Sequence, residues 1–145
     1  MTPKEQATFN LDALMLDLRT YANQELQKCG KSHIKAENFP NSETETCWIE
    51  TDRERLRQIL IIILDDAVKY TERFIAFGYF ANAEAGTIRF FVEYSRCKRC
   101  EDDDLSIAEG LIKQIGSQLN SVRRESGESS LNFKIKASTN FTQIE

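Results

Sequence analysis

No run of apolar residues in this chain approaches the roughly 18 needed to cross a bilayer as a helix. The opening stretch MTPKEQATF carries no hydrophobic signal region either. Both absences lead to a reading as a cytoplasmic protein, with no direct membrane insertion. Cysteine is sparse, at 4 in 145 residues. A secreted disulfide scaffold would be smaller and denser in cysteine, so these residues read as reduced thiols. Neither sign of charge is in excess, with 19 basic against 23 acidic residues. Nucleic acid and anionic membrane surfaces are therefore not favoured partners. Histidine occurs once, at His33. No Ser-His-Asp arrangement extends from it, and the scattered carboxylates form no acid and base pair of defined spacing. Placed at a strand start, His33 reads as structural.

What is present is enough for one core. At 41% hydrophobic content, the chain is long enough to fold as a single domain. Residues 9–137 are assigned to that domain, 1–8 to an N-terminal linker and 138–145 to a C-terminal tail. Asn10 can cap a helix whose apolar face is Leu11, Leu14, Met15, Leu18, Ala22 and Leu26, with Gly30 as its stop. His33 to Glu37 and Cys47 to Glu50 read as short strands joined by a turn at Pro40 and Asn41. A second helix follows, with Leu56, Ile59, Leu60, Ile63, Leu64 and Ala67 on one face. Thr51 with Glu54 forms a possible capping box there, and Asp52 is the alternative cap. Phe74 to Phe80 and Thr87 to Glu93 flank the turn from Asn82 to Gly86 as a hairpin. Leu105, Ala108, Leu111, Ile112 and Ile115 mark a third helix ending near Gly116, and Gln118 to Arg124 and Ser130 to Lys136 are the last strands. The order α-β-β-α-β-β-α-β-β predicts an α/β (α+β) two-layer sandwich: one mixed, mostly antiparallel sheet covered on one face by three helices.

A second stripe on the middle helix consists of Arg55, Gln58, Ile62, Asp66 and Lys69. It is polar throughout but for Ile62, which by itself reads as peripheral core. The segment DRERLRQILIIILDDAVKYTE, from Asp52 to Glu72, resembles the first nucleotide-site helix of histidine-kinase-type ATPase domains. In that family it runs approximately D-x-x-R-L-x-Q-V-L-x-N-L-L-x-N-A-x-K-F-T, and Leu56, Gln58, Leu60, Leu64, Ala67, Lys69, Tyr70 and Thr71 fall in register. Ile62 and Asp66 stand where the two asparagines would be. FNLDALMLDLRTYANQELQKCG resembles the family's entry helix, and SIAEGLIKQIGSQLNSVRRESGESSLNFKIKA its final helix and hairpin.

The resemblance implies an ATP and magnesium site, and several residues depart from it. Asp66 could hold magnesium through oxygen, whereas Ile62 cannot. The family's D-x-G-x-G turn, whose carboxylate reads adenine, is replaced by Glu93, Tyr94, Ser95, Arg96 and Cys97. Both glycines are gone. Only Lys98 to Glu101 stand in place of the lid, and Asp102, Asp103 and Asp104 occupy the glycine-rich phosphate segment. Aspartates at a helix N-terminus are favoured by the macrodipole. Yet a triphosphate about 8 Å from one carboxylate would meet roughly 2 kcal/mol of repulsion per charge pair at an effective dielectric of 20. The nucleotide site is therefore expected to be closed or very weak, with no cofactor and no catalysis by the domain itself.

The resulting expectation is a degenerate histidine-kinase-like domain acting as a binding or regulatory module in two-component phosphorelay signalling. Its expected partner is a response regulator receiver domain or another phosphorelay protein. In the family the phosphoacceptor histidine sits on a helical hairpin ahead of this domain, so autophosphorylation within the chain is not expected. The expected partner surface combines Arg55, Lys69, Arg96, Lys98 and Arg99 with Tyr70 and Tyr94 as aromatic anchors. In the alternative of an active sensor kinase, which the resemblance allows to be the cytoplasmic part of a longer membrane sensor, Asp66 holds magnesium, Lys69 contacts phosphate, Glu93 reads adenine and Tyr70 is a further cofactor-binding candidate, while a partner or missing segment supplies the lid. An interaction domain unrelated to phosphorelay is the third class. Cys97 and Cys100 form a Cys-x-x-Cys pair with no second pair at ligand spacing, and read as loop cysteines rather than a zinc site.

Overall fold

The computed structural model describes residues 7–40, 45–96, 105–125 and 127–143. Two sheets and three helices share one core. The first helix, α1 (Leu11–Lys28), is capped by Asn10, whose Oδ1 accepts from the Ala13 amide at 3.0 Å. Its buried residues are the six that helical spacing marks. Gly30 turns the chain away at φ 78°, a conformation that glycine adopts without a Cβ penalty. The second helix, α2 (Arg53–Tyr70), is capped by Asp52, not by Thr51: its Oδ1 accepts from the Arg55 amide at 3.1 Å. Its buried face is the predicted one with Val68 added. The third, α3 (Ser106–Gln114), buries Ala108 and Ile112, with Leu105 buried just ahead of it.

The larger sheet has five strands in the order β2-β4-β5-β7-β6. These are β2 (Ala36–Phe39), β4 (Thr71–Asn82), β5 (Thr87–Arg96), β6 (Asn120–Arg123) and β7 (Glu128–Lys136). Its pairs are antiparallel except β2 with β4, which is parallel. Ile75, Phe77 and Tyr79 of β4, Phe90, Val92 and Tyr94 of β5, and Leu131, Phe133 and Ile135 of β7 are buried beneath the helices. Each buried side chain of this size contributes roughly 1.5–3 kcal/mol. α2 lies on β4 and β5, α1 lies beside α2 on β2, and α3 packs against α2.

The expected two-layer sandwich forms, a mixed, mostly antiparallel sheet under three helices, and a second sheet of three strands joins it. Its members are β1 (Ala7–Asn10), β3 (Glu45–Thr51) and β8 (Ser138–Gln143), with β3 central and both pairings antiparallel. The predicted pair of strands on either side of Pro40 therefore does not form a hairpin: β2 and β3 belong to different sheets. Part of the segment assigned to a linker is strand from Ala7, and Ser138–Gln143 in the assigned tail is strand as well. Backbone pairing to β3 holds both.

Asp12, in the first turn of α1, joins the two sheets. Its Oδ2 accepts from the Cys47 amide of β3 and its Oδ1 from the Tyr79 hydroxyl of β4, each at 2.7 Å. Burial, and then the Asp12 carboxylate, push the Tyr79 hydroxyl well above the usual phenol range and the Cys47 thiol up to about 11. Between the helices, the Tyr21 hydroxyl donates to Asp65 at 2.6 Å and Arg57 pairs with Asp17 at 3.1 Å. Because Asp12→Ala leaves two donors without their acceptor, it should cost about 3 kcal/mol in urea denaturation, and Asp12→Asn clearly less. Equal losses for the two variants would contradict the role of Asp12 as a double acceptor.

Candidate functional site

The stripe that faces nucleotide in the resembled family is divided here into two clefts with an occupied middle. At its start, Asp52, Arg55, Gln58 and Ile62 line a cleft of about 520 Å³. Arg55 lies 3.9 Å from Asp52, and Ile62 is half-buried against the core, as its apolar side chain requires. At the far end, Lys69, Tyr70, Lys31 and His33 line a second cleft of about 360 Å³. There the Lys69 ammonium stands 5.1 Å from the Tyr70 ring centroid. Lys31 donates to the Val68 and Lys69 carbonyls at 2.9 and 3.0 Å, closing the C-terminus of α2. His33 is exposed in the loop before β2, not at the start of the strand. Lys69 lies fourteen positions after Arg55, about 21 Å along the helix axis, too far for both to grip one triphosphate.

Between the clefts lies Asp66, and Tyr94 reaches it from below. The Tyr94 side chain is fully buried, and its hydroxyl donates to Asp66 Oδ2 at 3.1 Å. This corrects the expectation of Tyr94 as an aromatic anchor on a partner surface, because strand alternation sends it into the core after Phe90 and Val92. The same alternation corrects Glu93. It is exposed on the opposite face of the sheet, in a small cleft with Phe74, Arg124 and Ser130. Asp66 and Glu93 lie on opposite sides of β5 and cannot meet one nucleotide, so the joint magnesium and adenine assignment fails on geometry.

Ser95 stands at the place of the family's first glycine. It is buried, and its Oγ accepts from three successive backbone amides, Glu72 at 3.2 Å, Arg73 at 2.7 Å and Phe74 at 3.3 Å. The register of β4 against β5 shifts between Thr71 and Ile75 at this point. Thr71 completes the cluster by donating to the Phe74 carbonyl at 2.6 Å. Three N–H groups aimed at one point would suit an anion, but here a hydroxyl of the same chain fills the position. In the sequence Ser95 is legible only as a missing glycine; its hydrogen-bonding role depends on a register shift that carries no sequence signal.

The candidate residues are thus scattered. Arg55, Lys69 and Tyr70 remain accessible in part along α2, while Tyr94 and Glu93 leave the group. Arg96 is the last residue of β5. Its side chain, with Lys98, Arg99, Cys97, Cys100 and Asp102 to Asp104, lies outside what the structure describes. A magnesium ion at a nucleotide site takes one or two protein carboxylates, with phosphates and waters completing its shell. Among the described residues no group of three or more His, Cys, Asp or Glu side chains is placed to hold a metal, and Asp66 already accepts from Tyr94.

No family model matches the sequence, and no curated protein matches it. Solved structures do. The chain is similar to full-length ShkA, crystallised with AMPPNP, at a TM-score of 0.78 and 19% identity over 97% of this chain and 33% of that one. It is similar to the Acinetobacter baumannii histidine kinase AdeS at a TM-score of 0.70 and 14% identity, over 93% of this chain and 68% of that one. Against the nucleotide-free catalytic domain of the histidine kinase ThkA the TM-score is 0.68 at 21% identity, over 91% of this chain and 95% of that one. The chain therefore has the fold of a histidine-kinase catalytic domain. It spans about a third of ShkA and nearly all of the isolated ThkA domain.

Ser95 and Tyr94 differ in what they stabilise. Ser95→Ala would strip the acceptor from three amides beneath a buried position and should cost about 2 kcal/mol or more. Tyr94→Phe leaves Asp66 half-exposed, where water can replace the hydroxyl, and should cost about 1 kcal/mol. Urea denaturation of both variants checks the order, and a larger loss for Tyr94→Phe would contradict it.

Proposed function

We propose that this domain keeps the histidine-kinase fold with its nucleotide site closed, and acts as a binding or regulatory module in a phosphorelay, on the cytoplasmic side. The observation that carries the reading is the Tyr94 side chain beneath α2 with its hydroxyl on Asp66. It engages the one stripe carboxylate suited to magnesium. The missing glycines, Ile62 in the stripe and Ser95 seated on three amides point the same way. ShkA, solved with AMPPNP, favours the alternative of an active kinase domain in which Asp66 and Lys69 still serve nucleotide. Calorimetry separates the two. With millimolar Mg-ATP, no binding tighter than about 1 mM, the regime of roughly 4 kcal/mol, is expected. Ile62→Asn alone should not change this, since the glycine turns would still be absent. A micromolar dissociation constant for the unaltered domain would establish the alternative instead.

A response regulator receiver domain is the proposed partner. ThkA has been solved in complex with the response regulator TrrA, and this chain is similar to that ThkA at a TM-score of 0.70 and 21% identity, over 90% of this chain and 41% of that one. With Tyr94 removed from the surface, the proposed contact narrows to Arg55, Lys69 and Tyr70 along α2, extended by Arg96, Lys98 and Arg99 if they flank it. Chemical-shift mapping against the cognate receiver domain should show perturbations clustered on α2. Shifts confined to the outer sheet face, or none at several hundred micromolar, would favour an interaction domain unrelated to phosphorelay.

A further inference from the structure

The outer face of the five-stranded sheet, away from the helices, is partly apolar, with Phe141 of β8 at its edge. Phe80 is 66% exposed and Phe39 43% exposed. Phe80 stacks on Phe91 with ring centroids 5.1 Å apart. Together with Pro40, Ala81 and Phe141 these rings line an open groove of about 460 Å³. Solitary exposed apolar side chains are ordinary, but a contiguous aromatic group rimmed by charge marks an interaction surface.

The charges are arranged with a symmetry that says what the face fits. Pairing across the strands places Phe39, Gly78, Phe91 and Asn132 in one row. On one side of it the next outward row is Phe80, Arg89 and Lys134, and on the other Glu37, Ala76, Glu93 and Ser130. Arg89 and Glu93 are therefore equidistant from Phe91, about 6.8 Å away along the strand in opposite directions. Both are exposed, and neither has an ion-pair partner among the described residues. Gly78 keeps the row flat. A Cβ there would stand 1.8 Å from the Phe39 carbonyl oxygen, so no side chain can rise between the rings.

We propose that this face binds a second copy of the same chain, about a two-fold axis that runs along the Phe91 row. Such an axis sets Phe91 against its own symmetry mate and brings Arg89 of each copy opposite Glu93 of the other. Two sheets packed face to face lie about 10 Å apart, a gap that an arginine and a glutamate span together. An isologous contact has to be self-complementary, and opposite charges placed equally about an aromatic row meet that condition. An acidic partner would use Arg89 and Lys134 but leave Glu93 facing like charge. Five strands about 4.8 Å apart and three rows of side chains give a footprint on the order of 400 Å² per copy. That is at the small end for specific interfaces, so the dimer is weak and reversible.

Sedimentation velocity on the unaltered domain between about 10 and about 500 μM, the range a small interface requires, should show a concentration-dependent shift from monomer to dimer. Phe80→Ser, at a mostly exposed position, should abolish the shift with the thermal unfolding midpoint retained. Arg89→Glu and Glu93→Arg should each remain monomeric alone, because each gives two like-charged pairs across the axis. Mixed in equal amounts they should form a heterodimer, since the mixture restores both pairs. A domain that is monomeric throughout would overturn the proposal. So would a dimer unaffected by these changes, or an Arg89→Glu and Glu93→Arg mixture that stays monomeric.

Discussion

The pleat of β5 (Thr87–Arg96) is the constraint on which the rest depends. Successive side chains of a strand point to opposite faces, so fixing one fixes all. Ile88, Phe90, Val92 and Tyr94 enter the core, and Phe90 stacks on Phe133 of β7 with centroids 5.3 Å apart. Arg89, Phe91 and Glu93 are thereby turned outward. One register decides that a tyrosine lies under the stripe of α2, that the nearest carboxylate of β5 is on the wrong side for it, and that the outer face carries aromatic and charged residues in alternating rows.

The middle helix reads this core from above. Its apolar face is anchored on β4 and β5, which leaves Arg55, Gln58, Ile62, Asp66 and Lys69 along its flank. A working phosphate site needs backbone approach without Cβ atoms and donors that converge on one point. In this chain the convergent donors exist, as the amides of Glu72, Arg73 and Phe74, but Ser95 satisfies them. The carboxylate exists as well, and Tyr94 engages it. In the proposed reading, closure of the site rests on internal hydrogen bonds of the fold: Ser95 supports β4 against β5, and Tyr94 ties β5 to α2.

The helices were legible because apolar periodicity marks each of them, with a side-chain cap at α1 and α2 and a glycine stop after α1 and α3. Asn10, Asp52, Gly30 and Gly116 mark ends that the structure keeps, and the buried faces of α1 and α2 match their apolar spacing. The small sheet was not legible. β8 (Ser138–Gln143) is polar and almost wholly exposed, with no alternation to read, and β1 (Ala7–Asn10) is only 4 residues long. Both are held by pairing to β3, a non-local cause that a local pattern does not carry. The parallel pairing of β2 with β4 is hidden for the same reason. Tyr94 is different, since its signal was present: Phe90, Val92 and Tyr94 alternate with Arg89, Phe91 and Glu93. At Glu93 the motif position and the pleat disagree, and the pleat decides.

The central claim is that the chain's own side chains occupy the place of the nucleotide beneath α2. The most direct measurement is a crystal structure grown in millimolar magnesium with a non-hydrolysable ATP analogue. The account predicts Tyr94 still directed inward, its hydroxyl on Asp66 and Ser95 on the three amides, with no nucleotide along the α2 stripe. A nucleotide bound between α2 and α3, with magnesium on Asp66 and the Tyr94 hydroxyl displaced from it, would contradict the account.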